Sequence, residues 1–423
     1  MPFIIKCNDN SQVEEAVVKI LQVVWNFPDT VMRPFDMYYF YWPLREAVLR
    51  GWDVEVLTFQ VDSHQPAEEI IDGIRVRRCP AGVRKGRPIS WPFIHALLTT
   101  DAEIIHCHGY GEMRSELTIL LARLRRRKVI FSPYFHVYPS QLPLRKLYDK
   151  TFGRFFFNLS DRVIVSTAYT SKKLLALEVL RERLRVVPHV SRPEVFATRP
   201  DENEAGSLLR DAGITGNPLI LGVGQLIERK GWEYTIRCMP SIITRFPEAK
   251  LLIVGPSKPA EPEFRQRLLQ LATELGVIDH LQILHDNTPE FIRDAYRSAT
   301  ILTHPSFVES FGMVLLEAMT AGVPVVAHNG TGLPCIIDDG VTGYVVDVQD
   351  VPKYTEALLL LLSDPALRQR MGSEGRRQAE TRFSQAEIAS QLFTVYAEVI
   401  GPAACNAAAQ TVEPTVKNTL IRR

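Results

Sequence analysis

The sequence predicts an α/β protein with two doubly wound parallel sheets that face each other across a cleft. Short apolar runs alternate with longer helical patterns along most of the chain, and this alternation is typical of parallel strands joined by helical crossovers. The chain has 423 residues, more than one core normally accommodates and comfortable for two. The runs also fall into two series on either side of 190–218, a polar stretch that contains Pro193, Pro200 and Gly216 and suits a linker.

The two series define the predicted elements. In the first we expect strands at 20–27, 53–59, 104–108, 129–133, 162–166 and 185–188, with helices at 35–50, closed by Gly51, and at 116–127. In the second we expect strands at 219–223, 249–254, 281–284, 300–303, 324–327 and 343–346. These elements predict an N-terminal domain over 1–190, a second domain over 191–384, a helix at 385–400 that packs back on the first domain, and a disordered tail at 401–423.

Composition excludes several classes of protein. Apolar residues make up 46% and charged residues 23%, as in ordinary globular proteins. The net charge of +1 gives no sign of nucleic-acid binding. The six cysteines form no Cys-x-x-Cys pair, which favours reduced thiols in the cytoplasm. No apolar run reaches the roughly 18 residues that a membrane span needs.

Two segments indicate peripheral contact with the inner, anionic face of a membrane. The run 123–128 is strongly basic and the stretch 37–42 is aromatic, and both features suit lipid headgroups. The alternative is a helix end whose cations favour the helix dipole, with the aromatic side chains packed inside.

The stretch 305–319 carries the chemistry. A helix is predicted to follow a buried strand here, with Ser310 as its N-cap. Gly312 lets an anion approach the backbone, where free N–H groups and the helix dipole attract phosphate. Glu309 precedes the helix and Glu317 lies eight residues later, about 12 Å along the axis and on a similar face. Two carboxylates at this spacing could bind the two ends of a nucleotide sugar while the helix start binds its diphosphate.

This stretch resembles the Glu-x7-Glu signature of the retaining GT-B glycosyltransferases of family four, the glycosyl transferases group 1. Further segments fit the family in order: 166–175, 187–189, 222–231, 321–327 and 340–344. The resemblance covers roughly residues 20–400. It implies the GT-B fold, with two Rossmann-like domains, and transfer of a hexose-like sugar from a nucleotide-diphosphate-sugar to an acceptor.

The resemblance also implies a role for each matching residue. Glu309 would hold hydroxyls of the transferred sugar, and His136 would face that sugar from the other side of the cleft; these two are the predicted catalytic residues. Glu317 would bind the ribose, and Lys230 would neutralise the phosphates. The remaining donor-binding positions are Gly224, Gln225, Arg229, Ser310, Phe311, Gly312 and Met313.

The implied reaction needs mainly control of charge. Lys230 and the helix start would stabilise the negative charge on the leaving diphosphate. Neither a carboxylate nucleophile, as in retaining hydrolases, nor a metal or other cofactor is implied. His106 and His108 would share one face of a strand, and two ligands without a third make a poor zinc site. The acceptor, whether a glycan, a lipid-linked sugar or a small molecule, is left open.

Three departures from the family pattern keep other functions open. Gln225 stands where the family usually has an arginine, and the loop 29–33 lacks the usual paired glycines. Cys335 stands where an acidic residue is common. A non-catalytic relative that binds nucleotide sugars is therefore one alternative, and a nucleotide-sugar 2-epimerase of the same fold is another.

Overall fold

The computed structural model describes residues 18–27, 38–60, 64–80, 89–135, 143–197, 206–255, 262–285 and 288–401. Three sequence predictions fall outside these described residues: the role of His136, the phosphate loop 29–33 and the tail from residue 402 onward. The aromatic stretch 37–42 is described only in part, and its Tyr41 and Trp42 are half-buried.

The first half of the chain forms a sheet of eight described strands with the order β3-β4-β2-β1-β5-β6-β7-β8. The strands are β1 (Lys19–Val23), β2 (Asp53–Gln60), β3 (Glu68–Ile71), β4 (Ile74–Pro80), β5 (Ile104–His108), β6 (Lys128–Ser132), β7 (Arg162–Val165) and β8 (Leu184–Val186). The helices are α1 (Tyr38–Leu49), α2 (Trp91–Thr99), α3 (Arg114–Leu124), α4 (Pro143–Tyr148), α5 (Arg154–Leu159) and α6 (Ala168–Ala176). All neighbouring strands are parallel except β3, which is antiparallel to β4.

Helices cover both faces of this sheet, and the strand residues therefore alternate between two cores. Along β5, Ile104 belongs to the core on one face, while Ile105 and Cys107 belong to the core on the other. Every residue of β5 is buried, which is typical of a central strand in a doubly wound sheet. The histidines of β5 therefore lie inside the domain, near the carboxyl edge of the sheet.

The second half forms a sheet with the order β11-β10-β9-β12-β13-β14, all of it parallel. Its strands are β9 (Leu219–Val223), β10 (Lys250–Gly255), β11 (Leu281–His285), β12 (Ile301–His304), β13 (Val325–His328) and β14 (Gly343–Val346). The helices are α7 (Pro193–Phe196), α8 (Ser207–Asp211), α9 (Trp232–Arg245), α10 (Pro262–Glu274), α11 (Pro289–Ser298), α12 (Met313–Ala321), α13 (Val351–Ser363) and α14 (Pro365–Thr381). The order changes direction at β9 and β12, and the carboxyl ends of these strands are where a doubly wound sheet binds its ligand.

Two features differ from the sequence prediction. The segment 190–218, expected as a linker, contains α7 and α8 because Phe196 and Leu209 are buried in the core of the second half. The hairpin of β3 and β4 was not predicted, since charged residues such as Glu69 and Arg77 interrupt its apolar pattern.

The chain crosses back to the first half at its end. Ser191 binds the segment after α14, donating from its backbone N–H to the carbonyl of Phe383 at 2.8 Å. Helix α15 (Gln385–Ile400) then packs on the first sheet, where the Phe393 and Trp52 rings lie 5.1 Å apart. Glu398 accepts hydrogen bonds from Arg162 and Arg185. None of the described helices is both long and apolar enough to span a membrane.

Candidate active site

The loop after β9 brings a buried lysine to the carboxyl edge of the second sheet. Gly224 has a φ of 151°, and a Cβ at this position would lie 3.3 Å from Cε of Lys230. Gly231 has a φ of 67°, and a Cβ there would lie 2.5 Å from the carbonyl oxygen of Pro305. Both backbone conformations favour glycine, and at Gly231 the close approach of the Pro305 carbonyl also excludes a side chain. The loop is thereby pressed against the segment that follows β12.

Glu309 lies among three basic side chains. The Lys230 ammonium donates a hydrogen bond to Oε1 of Glu309, and Nε2 of His304 lies 3.3 Å from the same oxygen. Nη1 of Arg229 lies 4.0 Å from it and donates to the carbonyl of Val308 at 3.0 Å. Because Lys230 and Arg229 are cationic and Glu309 is the anion between them, the cluster carries a net positive charge that suits a phosphate group.

Glu309 is held in its ionised form. Burial alone would raise the pKa of this carboxyl, but the hydrogen bond from His304 and the charge of Lys230 outweigh burial and hold its pKa well below the usual range. Burial lowers the pKa of His304, so its imidazole is neutral near pH 7. A neutral imidazole with its proton on Nε2 donates to Glu309. The Glu309 carboxylate can therefore accept hydrogen bonds from hydroxyl groups.

The prediction that Ser310 caps the next helix is wrong. Helix α12 begins at Met313, and Gly312 occupies the N-cap position with a φ of 100°. A helix cannot extend back through that conformation to Ser310. The Ser310 carbonyl instead accepts hydrogen bonds from Ser166 and Thr167, at 3.4 and 3.3 Å. These bonds join the two halves of the molecule beside the site.

The start of α12 is positioned by buried aromatic contacts. The Phe311 ring packs edge-on against His189, with 4.7 Å between ring centroids, and lies 6.1 Å from Phe383. The backbone N–H groups of Met313 and Val314 have no carbonyl partner within the helix because they lie in its first turn. The site therefore combines these amides with the cations around Glu309.

Glu317 lies on α12, four residues after its first residue Met313, and belongs to a separate cluster. Its Oε1 is ion-paired with Arg192, and its Oε2 accepts a hydrogen bond from the Tyr296 hydroxyl at 2.7 Å. Both partner side chains are buried. These contacts hold the Glu317 carboxylate in place, and each oxygen retains a lone pair that could accept from a further hydroxyl.

The opposite side of the site is a cavity at the carboxyl edge of the first sheet, lined by both apolar and polar side chains. His106 and His108 stack with 4.2 Å between ring centroids, and Gln22 accepts from Nε2 of His108 at 2.7 Å. Gln22 and His106 both contact the Tyr396 hydroxyl, at 2.9 and 3.0 Å. Ser310 also lines this cavity. The two halves of the molecule therefore meet at this cavity, three residues before the start of α12.

The structure thus brings most of the predicted residues together. Lys230, Arg229, Gln225 and Glu309 form one connected group, in which Gln225 accepts from Arg229 at 3.4 Å. Glu317 lies apart from that group, and His136 lies outside the described residues. Sequence reasoning missed three partners of the two glutamates, namely His304, Arg192 and Tyr296. His304 ends β12 and could have been noticed, whereas nothing near Arg192 or Tyr296 in the sequence points to Glu317.

Comparison with known proteins identifies the family. Residues 209–378 match the glycosyl transferases group 1 family, and residues 38–189 match the glycosyl transferase 4-like domain. The chain belongs to the glycosyl transferases group 1, has the GT-B fold and is a glycosyltransferase.

Individual relatives agree with this assignment. A D-inositol 3-phosphate glycosyltransferase of Nocardia farcinica is 26% identical over 383 residues, covering 84% of this chain and 82% of the relative. A GDP-mannose-dependent alpha-(1-6)-phosphatidylinositol monomannoside mannosyltransferase of Mycolicibacterium smegmatis is 30% identical, covering 62% and 67%. The Anabaena protein HepE, solved in complex with UDP and glucose, superposes with a TM-score of 0.73 at 17% identity, covering 90% of this chain and 100% of HepE.

Proposed function

We propose that the protein transfers a sugar from a nucleotide-diphosphate-sugar to an acceptor with retention of the anomeric configuration. The observation that carries the proposal is the buried contact between Lys230 and Glu309, which lies just before the start of α12. A cation that can bind phosphate, an anion that can bind hydroxyls and free helix amides are thereby combined in one place. A sugar diphosphate needs these three groups.

Each group has a role in the reaction. The diphosphate lies at the first amides of α12, where Lys230 and Arg229 stabilise the charge that grows on it as it leaves. Glu309 accepts hydrogen bonds from hydroxyls of the transferred sugar. Among the described residues every contact of its carboxylate falls on Oε1, so Oε2 is available. Glu317 binds the ribose, in the orientation set by Arg192 and Tyr296.

The transfer itself exchanges one bond to the anomeric carbon for another. The bond to the diphosphate oxygen breaks, and the acceptor hydroxyl attacks the anomeric carbon from the same face. Its proton passes to the leaving phosphate. Glu309 is engaged by Lys230 and His304, an arrangement that suits hydroxyl binding better than attack on carbon.

The acceptor enters from the first domain, on the side of His106 and His108. Relatives named for D-inositol 3-phosphate and for a phosphatidylinositol monomannoside make phosphorylated or lipid-linked polyols the first acceptors to test. His136 stays a predicted catalytic residue on this side of the cleft.

Thermal-shift measurements with UDP, GDP and ADP, and with their sugars, test the donor site. A ligand at 100 times its Kd adds about 2.7 kcal/mol to the free energy of unfolding, and we expect such a rise with one of these nucleotides. Lys230→Ala and Glu317→Ala should abolish it. The control Lys353→Ala removes an exposed lysine of α13 that pairs with Asp350 and should leave the shift intact. No shift with any nucleotide would contradict the proposal.

Turnover separates the alternatives. We expect Glu309→Gln to bind the nucleotide but to lose sugar transfer, and NMR of the product to show the donor's anomeric configuration. If the unaltered protein bound the nucleotide sugar but, like Glu309→Gln, transferred no sugar, the protein would be a non-catalytic binder; an active protein unaffected by Glu309→Gln would contradict the role of Glu309. If the nucleotide sugar alone yielded an epimer, the 2-epimerase alternative would hold.

A further inference from the structure

Residues 143–159 expose large apolar side chains to solvent. This segment consists of α4, a π-helical turn at Asp149–Gly153 and α5, which follow one another without interruption. The exposed fractions are 77% for Leu144, 59% for Leu147, 63% for Phe152 and 53% for Phe155. Four such side chains within twelve residues are far more than the scattered apolar residues of an ordinary surface. We call this surface the α4–α5 face.

The other side of the segment fixes it to the domain. Phe156 and Phe157 are buried, the Tyr110 hydroxyl donates to Asp149 at 2.8 Å, and the Tyr148 hydroxyl donates to Glu116 at 3.0 Å. The exposed side chains therefore have no place in the core, because the opposite side of the same helices already fills it.

The charges on the α4–α5 face are positive. Lys146 and Lys150 are exposed and form no ion pair within the part of the chain that the structure describes. Arg154 is also exposed and pairs with Glu178. The acid within the segment, Asp149, is buried and engaged by Tyr110 and Arg145. A surface that mixes large apolar side chains with lysines complements an anionic lipid bilayer, which offers an apolar interior beneath negative headgroups.

An apolar groove adjoins the α4–α5 face. It has a volume of about 480 Å³ and lies between α3 and α4, with Met113, Leu117, Leu120 and Phe156 among its lining residues. Gly111, three residues after the end of β5, also lines it. The groove thus reaches from the exposed face toward the carboxyl edge of the first sheet.

The basic run 123–128 does not belong to this surface. It lies at the amino edge of the first sheet, where β6 begins at Lys128, whereas the groove reaches toward the carboxyl edge. Arg123 pairs with Asp161 at 2.9 Å, and Arg127 donates to the carbonyls of Thr100 and Asp101. These two cations bind the protein itself, while Arg125, Arg126 and Lys128 of the same run are exposed.

We propose that the α4–α5 face docks on an anionic membrane, with Leu144, Leu147, Phe152 and Phe155 entering the headgroup region and Lys146 and Lys150 binding lipid phosphates. The inference does not depend on the proposed function, because it concerns binding alone. It places the groove at the bilayer surface, where an amphiphilic acceptor could enter it.

Co-sedimentation of the full chain with vesicles tests the inference. We expect binding to vesicles rich in phosphatidylglycerol, weak binding to pure phosphatidylcholine, and release by salt. Lys146→Glu with Lys150→Glu should weaken binding by about 25-fold, since each cation at an anionic surface contributes about fivefold. Leu144→Ser with Phe152→Ser should weaken it by about 100-fold, or tenfold per large apolar side chain.

The controls carry the same changes elsewhere. Lys172→Glu with Arg181→Glu alters two exposed cations of the same domain, and Leu360→Ser alters an exposed leucine of α13; both should bind vesicles like the unaltered protein. Melting temperatures would show whether each variant folds. If the apolar variant did not fold, the vesicle binding of the charge variant would test the inference. Equal binding to both lipids would overturn the inference, and so would control variants that lose as much binding as the variants of the α4–α5 face. It would also fail if the face proved to join two copies of the chain, seen as a dimer that Leu144→Ser dissociates.

Discussion

At the scale of single residues, the contact between His304 and Glu309 has a consequence for the site. His304 is buried at the end of β12, and its Nε2 reaches the same carboxylate oxygen as Lys230. Its other ring nitrogen, Nδ1, is buried and has no hydrogen-bond partner among the residues that the structure describes. An unpaired buried nitrogen costs free energy that an apolar side chain at this position would not cost. We therefore interpret His304 as a residue that orients Glu309.

This interpretation predicts different effects for two substitutions of His304. His304→Leu removes the donor, and because hydrogen bonds to charged groups are worth about 1.5–3 kcal/mol, we expect kcat to fall by about 10- to 100-fold. His304→Gln keeps a donor near the position of Nε2 and should recover most of the loss. Steady-state kinetics with saturating donor would measure both. Equal activity of the Leu variant and the unaltered protein would show that Glu309 needs no such support.

At the scale of an element, the start of α12 depends on Gly312. Its φ of 100° turns the chain into the helix, and a Cβ there would lie 2.8 Å from Cδ2 of Leu333. An alanine would therefore be both strained and crowded. The amides that we assign to the diphosphate would shift with the turn.

Two glycine variants separate these effects. Gly340 also has a positive φ, of 75°, but a Cβ there would have nothing within 4 Å. Gly340→Ala should cost only the backbone strain, about 1–2 kcal/mol, without loss of nucleotide binding. Gly312→Ala should cost more and should weaken the nucleotide-induced thermal shift. If both variants bound the nucleotide equally well, the turn at Gly312 would not position the phosphate site.

At the scale of the whole molecule, the buried histidines make stability depend on pH. Burial lowers the pKa of His106 to about 3, while the unfolded chain titrates near pH 6.5. Burial also lowers the pKa of His108, with smaller contributions from His106 and Arg114. Between the pKa of each histidine in the folded protein and its pKa near 6.5 in the unfolded chain, the unfolded state binds a proton that the folded state does not. This contribution to stability is therefore complete above about pH 6.5 and is lost as the pH falls.

The expected slope is about 1.4 kcal/mol per pH unit for each histidine. Urea denaturation at several pH values between 6.5 and 5, above the range where most carboxylates titrate, would measure it. His106→Asn should lower the free energy of unfolding at pH 7. It should also reduce the slope by about 1.4 kcal/mol per pH unit, because one histidine fewer takes up a proton on unfolding. A slope that stayed the same in this variant would mean that His106 is charged in the folded protein.

The sequence alone was enough for the fold class and for part of the site. Alternating apolar runs and helical patterns are local features, and each strand predicted in the second half overlaps a strand of the structure. Glu309 and Glu317 were identified from their eight-residue spacing and from the family signature that it resembles. The helical geometry expected between them is wrong, because Glu309 lies before α12, which begins at Met313. The N-cap at Ser310 was predicted wrongly, since the chain turns at Gly312 with a φ of 100°, beside residues such as Ser310 and Phe311 whose partners lie in the first domain.

Only the tertiary structure decided which side chains act together. Lys230 and Glu309 are 79 residues apart, and Arg192 and Glu317 are 125 residues apart. No local pattern connects them, because sheet order and crossover geometry bring them into contact. The exposure of the α4–α5 face also depends on tertiary structure, because Phe156 and Phe157 of the same segment already fill the space against the sheet.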